Sequence, residues 1–352
     1  MTNDPSSHSK QPLLDVRNLR VEYLTENGSV TAVNGVSFSV TKGEIFGLAG
    51  ESGCGKSTIA HSILRVLRPP AVITGGNIFY KGIDVLDFDE KNQSRRKGEN
   101  QPGNSMVDLD IESFRWAQVS MVFQSAMNSL NPVTRAVDQI TDVIRKHQKI
   151  DKKLARERAE ELMEIVNIDK KRLNAYPHEL SGGMRQRMVI AMALALKPDL
   201  MIMDEPTTAL DVVVQKDILQ QIEKLKQQFG FSILFITHDL SLMVEFSDRI
   251  GIMYAGELVE MAPAKEILTR PFHPYTMGLL ASFPSIKGPK KKLTGIPGSP
   301  PDLLNPPKGC RFHERCPFYQ GKEEEAPAFR EIVPGHWVAC NCRDLSRMVG
   351  AQ

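Results

Sequence analysis

From residue 13 to about residue 40 apolar and polar positions alternate, the pattern of strands packed on one face and wet on the other, so antiparallel pairing is expected there. At residues 44–49 (Glu-Ile-Phe-Gly-Leu-Ala) the alternation gives way to a nearly continuous apolar run, expected as a buried strand, and residues 58–64 follow as a helix. Two more such runs occur, residues 200–203, ending in Asp204 and Glu205, and residues 231–236, ending before His238. From Met127 to about Glu179, or 182 with the segment that follows, the spacing is helical. Residues 154–166 place apolar side chains three and four positions apart on a charged background, and Met188, Ile190, Ala191 and Leu194 continue that spacing. Residues 89–106 are polar and broken by Pro102 and two glycines, which predicts a solvated, mobile insert. The parallel-sheet core is expected to begin at Gly43 and to resume from Met188 to about Met261, and a proline-rich tail follows Ala262.

The end of the first buried run carries the most specific chemistry. Gly50-Glu51-Ser52-Gly53-Cys54-Gly55-Lys56-Ser57-Thr58 fits G-x-x-x-x-G-K-[ST] between an expected strand and an expected helix. Its glycines let consecutive N–H groups turn inward around a phosphate chain, and the helix N-terminus adds partial positive charge. Lys56 is placed to reach terminal phosphates and the Ser57 hydroxyl to hold magnesium. Asp204 and Glu205 sit where a central strand delivers acids to the carboxyl edge of a sheet. Asp204 suits magnesium, and Glu205, one residue on, is placed to polarise an attacking water. Leu180-Ser181-Gly182-Gly183-Met184-Arg185-Gln186 opens a helix and reads either as a plain serine cap or as a second phosphate cradle.

The run LSGGMRQR, then LMIMDEPTTALD, then ITHD, resembles the nucleotide-binding subunit of ABC transporters, and the motif order agrees. The resemblance implies an α/β P-loop NTPase of ABC type. It would have a parallel sheet core, an antiparallel β subdomain, a helical subdomain and an irregular, cysteine-containing C-terminal extension. It implies ATP and Mg²⁺ as ligands, with Gln124 sensing magnesium and the membrane subunits, Asp211 at a dimer seam, and His238 contacting the γ-phosphate. It also implies adenine stacking on Tyr23, which as a lone strand aromatic is equally a half-buried packing residue. In that family two subunits pair head to tail, so Ser181, Gly182 and Gly183 of one chain close on the phosphates held by the other. The expected organisation is a disordered N-terminus (1–12), an ATPase domain (13–262, with the helical subdomain at about 127–182) and a C-terminal extension (263–352).

Residues 126–133, Tyr176-Pro177-His178-Glu179 and the tail from His273 narrow the resemblance to ATPase subunits of dipeptide and oligopeptide importers. Nickel and sugar-oligomer importers share that branch. The implied partners are two membrane-spanning permeases, a second ATPase (a paralogue by family habit, rather than a second copy) and, indirectly, an extracytoplasmic solute-binding protein. The implied place is the cytoplasmic face of the membrane. ABC ATPases of DNA repair carry long inserts for which residues 124–181 leave no room, and translation factors carry two ATPase units where one is present. Intact Glu205 and His238 argue against a dead ATPase with a metal-sensing tail.

Composition agrees with this reading. A net charge of +2 over 352 residues argues against a polyanion-binding surface, so no nucleic-acid partner is expected. The longest apolar stretch, residues 188–196, is far short of a bilayer span, and the polar first residues hold no secretory signal, so a soluble, intracellular chain is expected. The tail holds four of the five cysteines, and a cytosolic chain is not expected to pair them as disulfides. Cys310, Cys316, Cys340 and Cys342 are spaced unlike ordinary zinc modules and are expected to hold a [4Fe–4S] cluster, with zinc or plain thiols as the alternatives and Cys54 taking no part.

Overall fold

The computed structural model describes residues 11–87, 111–124, 126–208, 210–282, 295–319, 321 and 325–341. The expected insert at 89–106, most of the expected disordered N-terminus and Cys342 lie outside the described residues.

The alternating segment forms β1 (Leu14–Thr25) and β2 (Gly28–Val40), a long antiparallel pair. β3 (Ile45–Ala49) follows in the main sheet, while β4 (Ala71–Tyr80) and the short β5 (Ile83–Asp84) complete a small sheet of order β2-β1-β4-β5. The main sheet adds β6 (Val119–Val122), β7 (Leu200–Asp204), β8 (Ser232–Ile236), β9 (Arg249–Tyr254), β10 (Glu257–Pro263), β11 (Arg330–Val333) and β12 (His336–Val338). Its order is β11-β12-β10-β9-β3-β8-β7-β6, and the pairs from β9 to β6 are parallel. Every residue of β3, β7 and β8 is buried, which is why these strands read as unbroken apolar runs: layers cover both of their faces.

Nine helices occur among the described residues. They are α1 (Lys56–Ile63), α2 (Ile111–Phe114), α3 (Ala136–His147), α4 (Lys152–Ile165), α5 (Gly182–Leu194), α6 (Val212–Phe229), α7 (Leu240–Phe246), α8 (Ala264–Thr269) and α9 (Pro274–Ala281). Asp151 caps α4 by accepting from the N–H groups of Lys153 and Leu154 at 2.7 and 3.1 Å. The face of α4 at Ala155, Ala159 and Met163 is buried, and Arg156 ties it to α3 through Asp138 at 3.0 Å.

The tail is less irregular than expected. It supplies α8, α9 and a hairpin, and β12 pairs antiparallel with β10 through Glu260↔Val338 and Met261↔Trp337, so the extension continues the main sheet. Strands of four and three residues are too short to show a periodicity among so many prolines. The docking is polar as well as apolar. The fully buried Glu260 accepts from the N–H groups of Phe272 and His273 at 2.6 and 3.1 Å and from His336 Nε2 at 2.7 Å. His273 in turn caps α9 by accepting from the Tyr275 N–H at 3.1 Å.

Burial pulls the His273 imidazole down to about 4, against the attraction of Glu260. The unfolded chain carries this group near 6.5, so between those values it binds the extra proton, and stability present above pH 6.5 is lost as the pH falls towards 4, by about 3 kcal/mol. His273→Asn keeps a side-chain acceptor for the cap and removes the titration. It is expected to flatten the fall in thermal midpoint between pH 6.5 and 4.5. Parallel slopes in wild type and variant would assign the acid lability elsewhere.

Candidate active site

The parallel register gathers the candidate residues into one row. β6 pairs with β7 through Val122↔Met203, and β7 with β8 through Asp204↔Ile236, so the residues that follow all three strands emerge side by side. Those residues are Gln124, Glu205 and His238. Gln124 Nε2 donates to Glu205 Oε2 at 3.0 Å, and His238 Nδ1 lies 3.0 Å from Glu205 Oε1. Thr208, which the sequence reading did not single out, donates its hydroxyl to Glu205 Oε2 at 3.1 Å. Glu205 takes a backbone φ of 47°, unusual for a residue with a Cβ, while its N–H donates to the Ile236 carbonyl at 2.8 Å. Conformations of this kind cost about 1–3 kcal/mol and collect where position matters. Three partners and a strained backbone thus hold one carboxylate at the sheet edge.

β3 leads into the glycine-rich loop and α1. Gly50 has φ +151° and Gly55 φ +100°, and a Cβ on either would lie 2.2 Å from the Met253 carbonyl oxygen or 2.3 Å from that of Ala32, so only glycine fits both the turn and the space. Gly55 caps α1 without any side-chain acceptor, which leaves first-turn N–H groups directed at the loop. Lys56 is buried, and its ammonium donates to the carbonyls of Gly50 at 2.7 Å and Glu51 at 2.9 Å. The Ser57 hydroxyl donates to Asp204 Oδ1 at 3.0 Å. Burial raises the Asp204 carboxyl above its ordinary range, with the Ser57 hydrogen bond working against it.

A cleft of about 390 Å³ is lined by Ser52, Gly53, Gly55, Lys56, Ser57, Thr58, Gln124 and Glu205, with Tyr23, Val30, Ala32 and Leu303 forming the remaining wall. Tyr23 is half-buried in β1 with its hydroxyl 3.3 Å from Thr58 Oγ1, so its ring stands at the cleft beside the loop. Leu303 comes from the C-terminal extension and was not legible as a site residue.

Ser181, Gly182, Gly183 and Asp211 are absent from the cleft lining. Ser181 caps α5 by accepting from the Met184 N–H at 3.3 Å, and Asp211 caps α6 by accepting from the Val214 N–H at 3.0 Å. The two caps are neighbours, since a Cβ on Gly183 would meet Val214 Cγ1 at 2.9 Å. Within one chain the Ser181 cap therefore stands apart from the cleft that the glycine-rich loop lines.

Of the four tail thiols expected to gather, Cys342 lies outside the described residues. Among the described residues no group of three or more His, Cys, Asp or Glu side chains is placed to hold a metal ion. Cys310 packs in the large core with Phe312 and Tyr275, whereas Cys340 packs in a separate cluster with Phe272 and Val338. Burial, with Cys340 and Cys316 nearby, pushes the Cys310 thiol up to about 11 in the metal-free chain. The described thiols alone give no support to the expected [4Fe–4S] cluster or to zinc. Cys54 is likewise buried, with its thiol raised by that burial.

Comparison with known proteins gives a consistent answer. A family model described as ABC transporter matches residues 33–208, and one described as oligopeptide/dipeptide transporter, C-terminal region, matches residues 259–322. The chain is 44% identical over 332 residues to the oligopeptide transport ATP-binding protein OppD of Bacillus subtilis, covering 93% of this chain and 87% of that protein. It is 42% identical over 310 residues to the dipeptide transport ATP-binding protein DppD of the same organism, covering 87% of each. The Escherichia coli oligopeptide transport ATP-binding protein OppD is 40% identical over 330 residues, covering 93% and 92%. Among solved structures, the dimeric ATP-binding cassette MJ0796 in a post-hydrolysis state with ADP and Pi superposes with a TM-score of 0.59 at 25% identity, covering 71% of this chain and 98% of that one.

Proposed function

Because the chain belongs to the ABC transporter family, in the branch marked by the oligopeptide/dipeptide C-terminal region, we propose that it is the ATPase subunit that powers import of dipeptides or oligopeptides. The observation that carries the catalytic part is the Glu205 carboxylate, held by Gln124, His238 and Thr208 beside the cleft that the glycine-rich loop lines. Residues 13–262 form the ATPase unit in this reading, and residues 263–352 the extension.

The roles follow from the geometry. The loop N–H groups of residues 50–58 and the α1 N-terminus bind the phosphate chain, and Lys56 exchanges its two loop carbonyls for phosphate oxygens. Tyr23 offers its ring to the adenine. Ser57, Asp204 and Gln124 present hard oxygens suited to magnesium, and the part-buried Ser57–Asp204 pair is already in place for it. Magnesium, when bound, supplies charge neutralisation on the phosphates. Glu205 accepts a proton from the attacking water, while Gln124 and Thr208 fix the carboxylate and His238 orients both it and the terminal phosphate. The water oxygen bonds to the terminal phosphorus, the bond to the bridging oxygen breaks, and ADP and phosphate leave.

The partners follow from surfaces that the isolated chain leaves uncovered. Beside Gln124 runs an apolar groove of about 360 Å³ lined by Leu64, Val66, Trp116, Met121 and Phe123. Trp116, Phe123 and Val133 are 38%, 45% and 80% exposed. Apolar side chains so exposed next to Gln124 suit a helix of one permease subunit, the second permease docking in the same way on the second ATPase. No helix among the described residues is long and apolar enough to cross a membrane; in this reading the permeases provide the pathway and this chain sits at their cytoplasmic face. In this reading the Ser181 cradle, outside the chain's own cleft, serves a second ATPase, which by family habit is a paralogue rather than a second copy. The solute reaches the permeases through an extracytoplasmic binding protein.

The binding assignment is tested with Lys56→Ala. Removing the ammonium should weaken equilibrium binding of magnesium-ATP by at least about tenfold, the worth of one charge-assisted contact. Unchanged affinity would remove the glycine-rich loop from the nucleotide site.

A further inference from the structure

The cysteine-bearing segment of the extension, residues 309–317, also carries two arginines, and both are buried against the ATPase core. Arg311 pairs with Glu257 at 3.1 Å and donates to the Ala255 carbonyl, which secures the β9–β10 turn. Arg315 reaches the glycine-rich loop itself. Its Nη1 and Nη2 donate in parallel to the two carboxylate oxygens of Glu51 at 2.8 and 3.0 Å. The remaining donors go to the Tyr254 hydroxyl at 3.2 Å, the Ile296 carbonyl at 3.5 Å and, from Nε, the Pro297 carbonyl at 2.8 Å. All five N–H groups of the guanidinium thus have acceptors, and the planar fork admits one orientation.

Glu51 is the second residue of the glycine-rich loop, and each of its polar groups is engaged. Its side chain is held by Arg315, its N–H donates to the Tyr275 hydroxyl at 2.9 Å, and its carbonyl accepts from Lys56 Nζ at 2.9 Å. Two of these three anchors come from the extension, and the third is the phosphate-binding lysine. A shift of Glu51 therefore moves the loop N–H groups and the Lys56 ammonium together. An arginine serving only to attach the tail would need no such partner, since β10 and Glu260 already secure it. The extension also reaches the cleft from a second side. The Leu303 carbonyl accepts from the Thr31 N–H at 3.3 Å, and Leu303 stands in the cleft wall with Tyr23. Pro300, Pro301 and Leu303 line a further cavity of about 210 Å³ on the other side of Glu51, Ser52 and Gly53.

We propose that the C-terminal extension is a working part of this chain's own nucleotide site, with Arg315 as the positioning residue that sets the glycine-rich loop through Glu51 and Leu303 as a binding wall for the nucleotide. The proposal rests on the reading that residues 50–58 bind ATP. The test is equilibrium titration of the purified full chain with magnesium-ATP, beside its thermal midpoint without nucleotide. Arg315→Ala should weaken ATP binding about tenfold, and Arg315→Lys, which restores the charge but not the fork, should recover part of that. Leu303→Ser should weaken binding about threefold at temperatures well below its midpoint, a loss of affinity that an attachment role would not produce. If Arg315→Ala fails to fold, Leu303→Ser and Glu51→Gln decide the question, and weakened binding in both supports the proposal. Wild-type affinity in Arg315→Ala with only a lowered midpoint, or wild-type affinity in Leu303→Ser and Glu51→Gln, would overturn it while Lys56→Ala still loses ATP. Equal binding by Lys56→Ala and wild type would instead overturn the underlying reading.

Discussion

Glu205→Gln is expected to slow ATP hydrolysis by about 10²- to 10⁴-fold, the range general-base catalysis contributes, while leaving ATP binding intact. The amide keeps the size of the side chain and can accept from Gln124 or Thr208, whose contacts are 3.0 and 3.1 Å, so the cleft wall should keep its shape. What it loses is the ability to take a proton from water. The nucleotide contacts assigned to Lys56, Ser57 and the loop N–H groups are separate from it. Single-turnover hydrolysis and equilibrium binding measured on the same preparation distinguish the two effects. Wild-type hydrolysis in the variant would move the base elsewhere, and lost binding would make Glu205 a structural prop of the loop.

The second large effect concerns a site that one chain cannot complete. Gly182→Asp places a carboxylate where the α5 N-terminus is read as meeting the partner's terminal phosphate. A Cβ at this position would be 3.4 Å from Leu210 Cδ2, so the fold should accommodate it. In a dimer of one variant and one normal ATPase chain, hydrolysis at the normal chain's loop should fall about 10²-fold, comparable to loss of an oxyanion donor. The variant chain alone should keep its own ATP affinity. An equal loss of affinity in the isolated variant would show that Ser181, Gly182 and Gly183 serve the nucleotide in cis.

Much of this site was legible because its chemistry is local in the chain. The glycine-rich loop, Asp204-Glu205 and Ser181-Gly182-Gly183 are contiguous, and each follows or precedes an element with a clear apolar pattern. Fully buried strands such as Leu200–Asp204 announce themselves by composition alone. The unread parts depend on contacts between distant segments. Arg315 lies 264 residues from Glu51, and no spacing rule links them. Leu303 sits in a proline-rich stretch without periodicity, and Thr208 was one hydroxyl among several in a turn. In residues 309–317 the cysteines drew the metal reading, while the two arginines beside them make the polar contacts with the core. The tail strands were missed because three or four residues are too few to show alternation.

The central claim is that ATP hydrolysis at Glu205 powers entry of peptides. It is tested most directly by uptake of a labelled tripeptide into vesicles that hold the assembled importer, with its binding protein outside and magnesium-ATP on the side of this chain. Wild-type vesicles should accumulate peptide and release phosphate together, and vesicles carrying Glu205→Gln should do neither while still binding ATP. Peptide accumulation at the wild-type rate with Glu205→Gln would contradict the account.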